Sequence, residues 1–323
     1  MKRSLPLLIL LFLAHQVCIA ADADAYPQRP IRLVVSSSPG GAADFIGRLL
    51  GEKISNALGQ NVVVENRPGA SGIIAAESVA KSAPDGYTLL LSSITTVGII
   101  PVLYKKLPYD ALKDFNHIGL LSTMPCVMVV PQSAPVHSVK EFVAFAKSKP
   151  DEVMYGSGGS GSPPQLMAEL FKSLTGAPIV HVPYKGTGPA VIDLVGGRLH
   201  VMFDGLPSII GQINSGKLRA LATTSTSRSS VLPDVPTMTE AGLPGMVGGL
   251  WYGLSGPAGL PPSVIDKLSK AVFKFTALED VKEQLATVGA QPTPLGPQGY
   301  TQFIRDEMGK WGHIIKLSGT TVD

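Results

Sequence analysis

Three glycines in the stretch VMYGSGGSGSPPQLM are spaced as G-x-G-x-x-G, at Gly156, Gly158 and Gly161. An apolar run precedes this loop and an amphipathic run follows it, so the loop joins a predicted strand to a predicted helix. Glycine lets a ligand approach the backbone closely, and a helix start offers unpaired N–H groups and a partial positive charge. Phosphate, sulfate and carboxylate all suit such a loop. The pattern therefore predicts an anion site and leaves the anion open.

A second loop of the same design, SSSPGGAAD at residues 36–44, also lies between an apolar run and a helical pattern. In the loop described above, Ser157, Ser160 and Ser162 add hydroxyl donors. Two lobes that face each other across a cleft would place both helix starts beside one ligand. We take this pair of loops as the most informative feature of the sequence.

Four other polar side chains have a structural interpretation beside a functional one. Asp44 lies in the first turn of a predicted helix and is interpreted as a capping residue. His181 and His200 alternate with apolar residues in predicted strands, which favours structural histidines. Asp204 ends a predicted strand, where a parallel sheet presents its ligand edge, so a site role and a structural role both stay open.

Other kinds of site are not supported by the spacing of the residues. A dinucleotide site needs an acidic residue about 20 positions further on, whereas the next predicted strand leads to Lys185. The P-loop-like GQINSGKL has Leu218 where serine or threonine should hold magnesium. No serine is framed as G-x-S-x-G, and the histidines lack metal-ligand spacing. We predict no catalytic residue, no metal and no cofactor, and an exported hydrolase stays a weaker alternative.

The elements that position the loops follow from hydrophobic periodicity and turn residues. The predicted strands are residues 31–36, 61–66, 87–92, 153–157, 179–184, 200–204 and 218–225. The predicted helices are residues 45–58, 73–81, 139–147, 166–174, 190–195, 208–214, 263–277, 280–288 and 297–316. Strands that alternate with helices at this period predict two α/β series with mixed, mostly parallel sheets. Proline and glycine accumulate between Leu232 and Pro262, where we place the return crossing between the two series.

The N-terminus has the composition of a secretory signal peptide, with Lys2 and Arg3 before an apolar run at residues 5–14. Small residues place the cleavage between residues 20 and 25, and the context of Cys18 does not favour lipidation. Export leaves Cys126 as the only cysteine, so a core without a disulfide must hold the fold. Scattered basic residues and a formal net charge of +3 give no sign of nucleic-acid binding.

The chain resembles the Bug-type receptors, the solute-binding proteins of tripartite tricarboxylate transporters, from Tyr26 to Asp323. The segments that carry the resemblance are YPQRPIRLVVSSSPGGAAD, GQNVVVENRPGASG, APDGYTLLLSS, LYKKLPYD, KDF, VHVPYKG, MFDGLPS, GKLRALA, LPDVPTMTEAGLPG and KWG. The resemblance implies a two-lobed periplasmic binding protein of type II, with a ligand cleft between the lobes. Lobe one would comprise residues 26–124 and 251–323, and lobe two residues 125–250, after a signal peptide at residues 1–25.

The resemblance also implies a function without chemistry: capture of a small carboxylate and delivery to the membrane subunits of a transporter, by a monomer in the periplasm. An orphan sensor that feeds a signalling protein is the alternative. The ligand-binding residues carried over are Ser37, Ser38, Pro39, Gly40, Gly41, Ser157, Gly159, Ser160, Gly161, Ser162 and Asp204. The lobe crossings would fall near residues 124–130 and 250–254.

Three departures from the family pattern fall at this expected cleft. Ser36, Ser37 and Ser38 stand where the family commonly has Pro-Phe-Ala. Residues 163–165, PPQ, replace small hydroxyl residues and a histidine, and Gly205 stands where asparagine is frequent. The serine-rich loop favours a polar aliphatic carboxylate over a flat aromatic acid.

Overall fold

The computed structural model describes residues 26–40, 42–184 and 186–321. The predicted signal peptide and Gly41 lie outside these residues. The strands are β1 (Ile31–Val35), β2 (Val62–Asn66), β3 (Thr88–Ser93), β4 (Phe115–Pro131), β5 (Val153–Ser157), β6 (Ile179–Pro183), β7 (Val201–Gly205), β8 (Leu218–Thr223), β9 (Gly249–Pro257) and β10 (Gln291–Leu295). The helices are α1 (Ala42–Leu58), α2 (Ile73–Ala80), α3 (Ile100–Leu103), α4 (Val139–Ser148), α5 (Pro163–Thr175), α6 (Thr187–Val195), α7 (Leu206–Asn214), α8 (Pro262–Ala277), α9 (Glu279–Thr287) and α10 (Pro297–Ser318).

The strands fall into two groups that share the long strand β4. In the first group the order is β2-β1-β3-β9-β4, with β10 on the far side of β4. In the second group the order is β4-β7-β5-β6, with β8 on the far side of β4. Pairing of β4 with β9 ends at Pro125, and pairing with β7 begins at Cys126. The chain therefore passes from one group to the other within β4.

The carboxyl ends of the parallel strands in the two groups point toward each other. Because β3 is antiparallel to β9 and β9 is antiparallel to β4, β3 runs in the same direction as β4, as do its parallel neighbours β1 and β2. Their carboxyl ends therefore point toward the second group. Because β7 is antiparallel to β4 and parallel to β5, and β5 is parallel to β6, the carboxyl ends of these three strands point back toward the first group. Loops that follow these strands thus face one another, which is where open α/β sheets bind ligands.

The crossing between the groups is held by the Thr224 side chain and by a close backbone approach at Gly249. Thr224, which follows β8, accepts a hydrogen bond from Cys126 N at 2.8 Å through its hydroxyl and donates to the carbonyl of Gly248. A Cβ atom on Gly249 would overlap the carbonyl oxygen of Met124. Glycine is therefore needed where the return strand β9 passes β4.

The largest of three hydrophobic cores in the described residues extends through both groups of strands. It includes Val34 and Leu90 from the first group, Tyr155 and Phe203 from the second, and the fully buried Trp311 of α10. Helix α10 contacts α5, so the C-terminal helix packs against both groups on one face. Two smaller cores lie under α1, α8 and α9 and under α6 and α7. This packing supports the strands from which the facing loops extend.

Most predicted elements are confirmed, and the strands that were not predicted pair with partners distant in sequence. Strand β10 was not predicted because Pro292 and Pro294 argue against a strand, but it lies at an edge where missing N–H donors are tolerated. The residues that follow β3 form a π-helical turn, Ile94–Ile99, whose start is capped by Ser93 and Thr96. This capping box depends on two hydroxyls that the apolar pattern does not register.

A buried histidine in the first group predicts acid sensitivity. His117 Nδ1 lies 2.9 Å from Ser255 Oγ, and His117 Nε2 lies 2.9 Å from the Ala111 carbonyl oxygen. Burial lowers the pKa of this side chain from 6.5 to about 4. The unfolded chain therefore takes up the proton first as pH falls. This contribution to stability is fully present above pH 6.5 and is lost as pH falls to about 4.

We expect the free energy of unfolding of the native protein to fall by about 3 kcal/mol more than that of His117→Asn between pH 7 and pH 4. Urea denaturation at both pH values measures this difference, and all other titrating groups cancel in it. Equal losses in the two proteins would show that folding does not change the pKa of His117.

Candidate functional site

The described site residues predicted from the sequence all lie at the two facing edges. Residues 37–40 follow β1 in the first group, with Gly40 at φ +89°. In the second group Ser157 ends β5, residues 159–162 lead into α5, and Asp204 is the penultimate residue of β7. Gly41 lies outside the described residues. The loops that were predicted to share a ligand therefore lie at strand ends that point toward each other.

Unpaired polar atoms are concentrated at these positions. Within the described residues, four buried side-chain oxygens have no hydrogen-bond partner, and they belong to Ser37, Ser122, Ser162 and Asp204. Three of these four side chains were predicted site residues. An unpaired buried polar group costs stability, so such groups are retained mainly where they serve a ligand, a water or an ion. The two loops thus present hydroxyl groups that the protein itself does not use.

Asp44 holds the first loop in place. Its carboxylate accepts hydrogen bonds from Gly40 N and Asn66 Nδ2, each at 3.0 Å, and pairs with Arg48. Asn66 Nδ2 also lies 3.0 Å from the carbonyl oxygen of Ser37. The hydrogen bond from Arg48, aided by those from Gly40 and Asn66, lowers the pKa of Asp44 to about 2. These contacts support the capping interpretation of Asp44.

The second loop is held by a polar network around His181. The Ser157 hydroxyl oxygen lies 2.7 Å from His181 Nε2 and 3.1 Å from both the N and O atoms of Gly159. Gln165 accepts a bond from Gly161 N at 2.6 Å through Oε1 and lies 3.2 Å from His181 Nδ1 through Nε2. Because Gly161 N can only donate, the Gln165 amide must donate to His181 Nδ1. The imidazole therefore carries its proton on Nε2 and donates to Ser157.

This orientation disfavours nucleophilic catalysis by Ser157. A general base must accept the serine proton, whereas His181 donates to that hydroxyl, and Ser157 is fully buried. The second serine–histidine contact in the described residues, between Ser255 and His117, has a hydroxyl that is also fully buried in the core. Both pairs are structural in this conformation, which weighs against the hydrolase alternative.

Helix α5 has fewer backbone donors than its glycine loop predicts. Pro163 and Pro164 occupy its first two positions and have no N–H group. Ser162 precedes them and makes no side-chain cap to the helix. The unpaired Ser162 hydroxyl is therefore the side-chain donor that this helix start offers to a ligand.

Asp204 is the most unusual group at the second edge. It is 4% exposed, its Oδ1 accepts from Gly205 N at 2.8 Å, and its Oδ2 has no partner. Burial raises its pKa from 3.8 to about 6, opposed by Gly205 N–H and by the hydroxyls of Ser208 and Thr187. A buried carboxylate with one unsatisfied oxygen is a strong indication of a binding role.

Sequence reasoning missed two neighbours of these loops. Thr187 begins α6, and its Cγ2 would lie 3.2 Å from a Cβ on Gly158. Gly72 has no room for a side chain because Thr96 and Ser36 lie against it. Both follow carboxyl ends of parallel strands, so the predicted strand order combined with the edge rule would have indicated them.

The described parts of the chain show neither a metal site nor a membrane-spanning helix. They hold no group of three His, Cys, Asp or Glu side chains close enough to bind a metal ion. Among the same residues, no helix has the length and apolar character needed to cross a membrane.

Two groups of strands joined by the crossing strands β4 and β9, with ligand-type loops at their facing edges, define a two-lobed binding protein of the type II periplasmic class. The family model "Tripartite tricarboxylate transporter family receptor" matches residues 46–320. The chain belongs to this family, whose members are binding receptors, and solved structures with this fold are described as periplasmic.

The chain is similar along nearly its whole length to the following proteins. It is 37% identical to Protein BugT of Bordetella pertussis over 322 residues, which is 99% of this chain and 98% of BugT. The structure of Rpa4515 of R. palustris with adipate is 34% identical, with a TM-score of 0.84, and the match covers 92% of this chain and 99% of that one. MatC of Rhodopseudomonas palustris with bound malate is 33% identical, with a TM-score of 0.79 and coverage of 90% and 100%.

Proposed function

We propose that this receptor captures a small carboxylate between its two glycine loops and delivers it to the membrane subunits of a tripartite tricarboxylate-type transporter. One observation carries the proposal: of the four unpaired buried side-chain oxygens in the described part of the chain, three belong to Ser37, Ser162 and Asp204, at edges that face each other. A ligand that contacts both edges would favour the closed arrangement of the lobes.

The two serine hydroxyls can bind an anion by hydrogen bonds, without a cationic side chain. Ser37 and Ser162 lie in different loops, and each can donate one hydrogen bond. A charge-assisted hydrogen bond contributes about 1.5–3 kcal/mol. The two serines would thus contribute about 3–6 kcal/mol. Further N–H donors of the two loops would supply the rest of the roughly −8 kcal/mol of a micromolar complex and the cost of ordering.

The ligands of two similar proteins and the serines of the first loop both favour one class of carboxylate. Two family members of similar sequence have been solved with adipate and with malate, both aliphatic dicarboxylates. Ser37 and Ser38 give the first loop hydroxyls rather than an aromatic wall. We therefore favour an aliphatic carboxylate with polar character over a flat aromatic acid.

We further propose that the lobes comprise residues 26–124 with 251–323, and residues 125–250. The change of β4 partner between Pro125 and Cys126 supports the first boundary. After removal of the signal peptide the protein would act in the periplasm as a monomer, with a hinge at the crossing that Thr224 and Gly249 hold.

A thermal-shift screen tests the proposed function. The mature protein is unfolded and refolded to remove bound ligand, then mixed with aliphatic, amino and aromatic carboxylates. A ligand at a hundredfold excess over its Kd should raise stability by about 2.7 kcal/mol. Refolded protein that responds to none of these acids would contradict the proposal, and a response to aromatic acids alone would contradict the preferred class.

Substitution of the two serines should weaken binding of the acid that the screen identifies. We expect Ser37→Ala and Ser162→Ala each to raise Kd by about tenfold to a hundredfold, because each removes a donor to a charged group. Isothermal titration measures the change, with the exposed Ser230→Ala as the matched control. If both cleft variants bind as tightly as Ser230→Ala, the hydroxyls do not contact the ligand.

A further inference from the structure

The carboxylate of Asp204 restricts the chemistry of the ligand, provided that the proposed function holds. It lies beside the crossing, because a Cβ on the adjacent Gly205 would lie 3.1 Å from Leu250 Cδ1 and Met124 Sδ. Its Oδ1 is paired with Gly205 N, and its Oδ2 is buried and unpaired. In this conformation Oδ2 accepts no hydrogen bond, although the hydroxyls of Thr187 and Ser208 lie near enough to Asp204 to lower its pKa. The site therefore offers one buried acceptor oxygen to a ligand.

A carboxylate and a hydroxyl make opposite demands on a ligand. The serine hydroxyls of the two loops can donate to a ligand carboxylate, whereas an ionised carboxylate can only accept. Among the described residues, the groups that lower the pKa of Asp204 are one backbone N–H and the hydroxyls of Thr187 and Ser208, so no cation there compensates its charge. A second carboxylate placed against Asp204 would meet a like charge in a low-dielectric site.

We propose that Asp204 selects carboxylates that also carry a hydroxyl or ammonium group, and that this group donates a hydrogen bond to Asp204 Oδ2. The serine hydroxyls then bind the ligand carboxylate, and Asp204 accepts a hydrogen bond from the hydroxyl or ammonium group. An acid of the same length without a donor leaves Oδ2 unpaired. Discrimination against such an analogue is strong when a buried polar group would be left without a partner.

The test compares acids that differ only in the donor. Isothermal titrations at pH 8 use succinate, malate and aspartate as one matched set, and adipate and 2-aminoadipate as a second set for a longer site. We expect the native protein to bind a hydroxy or amino acid at least about tenfold more tightly than the plain acid of the same set. Asp204→Asn should bring the members of that set within about threefold of one another, whereas Asp266→Asn, an exposed carboxylate on α8, should leave the preference unchanged.

The outcomes separate this inference from the proposed function. If plain acids bind the native protein as tightly as their hydroxy and amino counterparts, or if Asp204→Asn keeps the preference, the role of Asp204 is wrong while carboxylate capture stands. If no carboxylate of either set or of the wider screen binds, the proposed function itself fails. The comparison within the native protein needs no variant, so a lack of preference there refutes the role of Asp204 even if Asp204→Asn does not fold.

Discussion

Asp204→Asn should raise the free energy of unfolding by about 3 kcal/mol at pH 8, and this gain should vanish near pH 4. The pKa of the buried Asp204 carboxyl is raised from 3.8 to about 6, so the folded protein binds its proton more tightly than the unfolded chain. An acid with a raised pKa in the folded state lowers stability at high pH, and the penalty disappears as pH falls from about 6 to about 4. Asparagine keeps an oxygen for Gly205 N and carries no charge.

Urea denaturation at pH 8 and pH 4 measures this effect, with Asp266→Asn as an exposed control of the same chemistry. Greater stability together with lost ligand selectivity would mark Asp204 as a residue kept for binding at the expense of stability. A destabilised Asp204→Asn at pH 8 would instead show that the carboxylate makes a favourable contact within the folded protein.

A second large effect is expected at Glu307 on α10. Glu307 Oε2 accepts hydrogen bonds from the indole N–H groups of Trp251 and Trp311, each at 2.9 Å. Its Oε1 lies 3.5 Å from Lys310 Nζ, which donates to the Val247 carbonyl oxygen at 3.0 Å. One carboxylate thus joins the C-terminal helix to the start of β9, beside the lobe crossing.

Glu307→Leu should lower the free energy of unfolding by about 3–5 kcal/mol, because two indole donors lose their acceptor at about 1–3 kcal/mol each. Glu307→Gln keeps an oxygen for the indoles and should cost about 1 kcal/mol, through the lost charge partner of Lys310. Both tryptophans of the chain bond to Glu307, so their fluorescence follows the urea transition at this contact. Equal costs for the two variants would mean that the ion pair, and not the indole bonds, holds the helix.

The sequence predicts the order of strands, helices and loops better than it predicts the side-chain contacts of the site. Alternating strand and helix patterns, with glycine and proline between them, are local properties, so the order of elements and both loops follow from them. The continuity of β4 through Pro125 and the proline-containing β10 depend on partners distant in sequence. Local helix and strand patterns do not predict which distant segments will pair.

The same limit applies to individual side chains in the loops. Ser157 was predicted as a ligand contact from its position, yet its hydroxyl bonds to His181, which lies on the neighbouring strand β6. Thr187 and Gly72 were not predicted, because their closeness to the loops follows from the parallel order of the strands. The unpaired oxygen of Asp204 also emerges only from packing, although its strand-end position was visible in the sequence.

The most direct test is a crystal structure of the refolded protein with the acid that gives the largest thermal shift. We predict a ligand carboxylate within about 3 Å of Ser37 Oγ and Ser162 Oγ, between the two loops. A cavity of about 300 Å³ lies on the α10 side of the crossing, lined by Trp251 and Glu307. A ligand bound only in that cavity, with both loops unoccupied, would contradict the two-loop site.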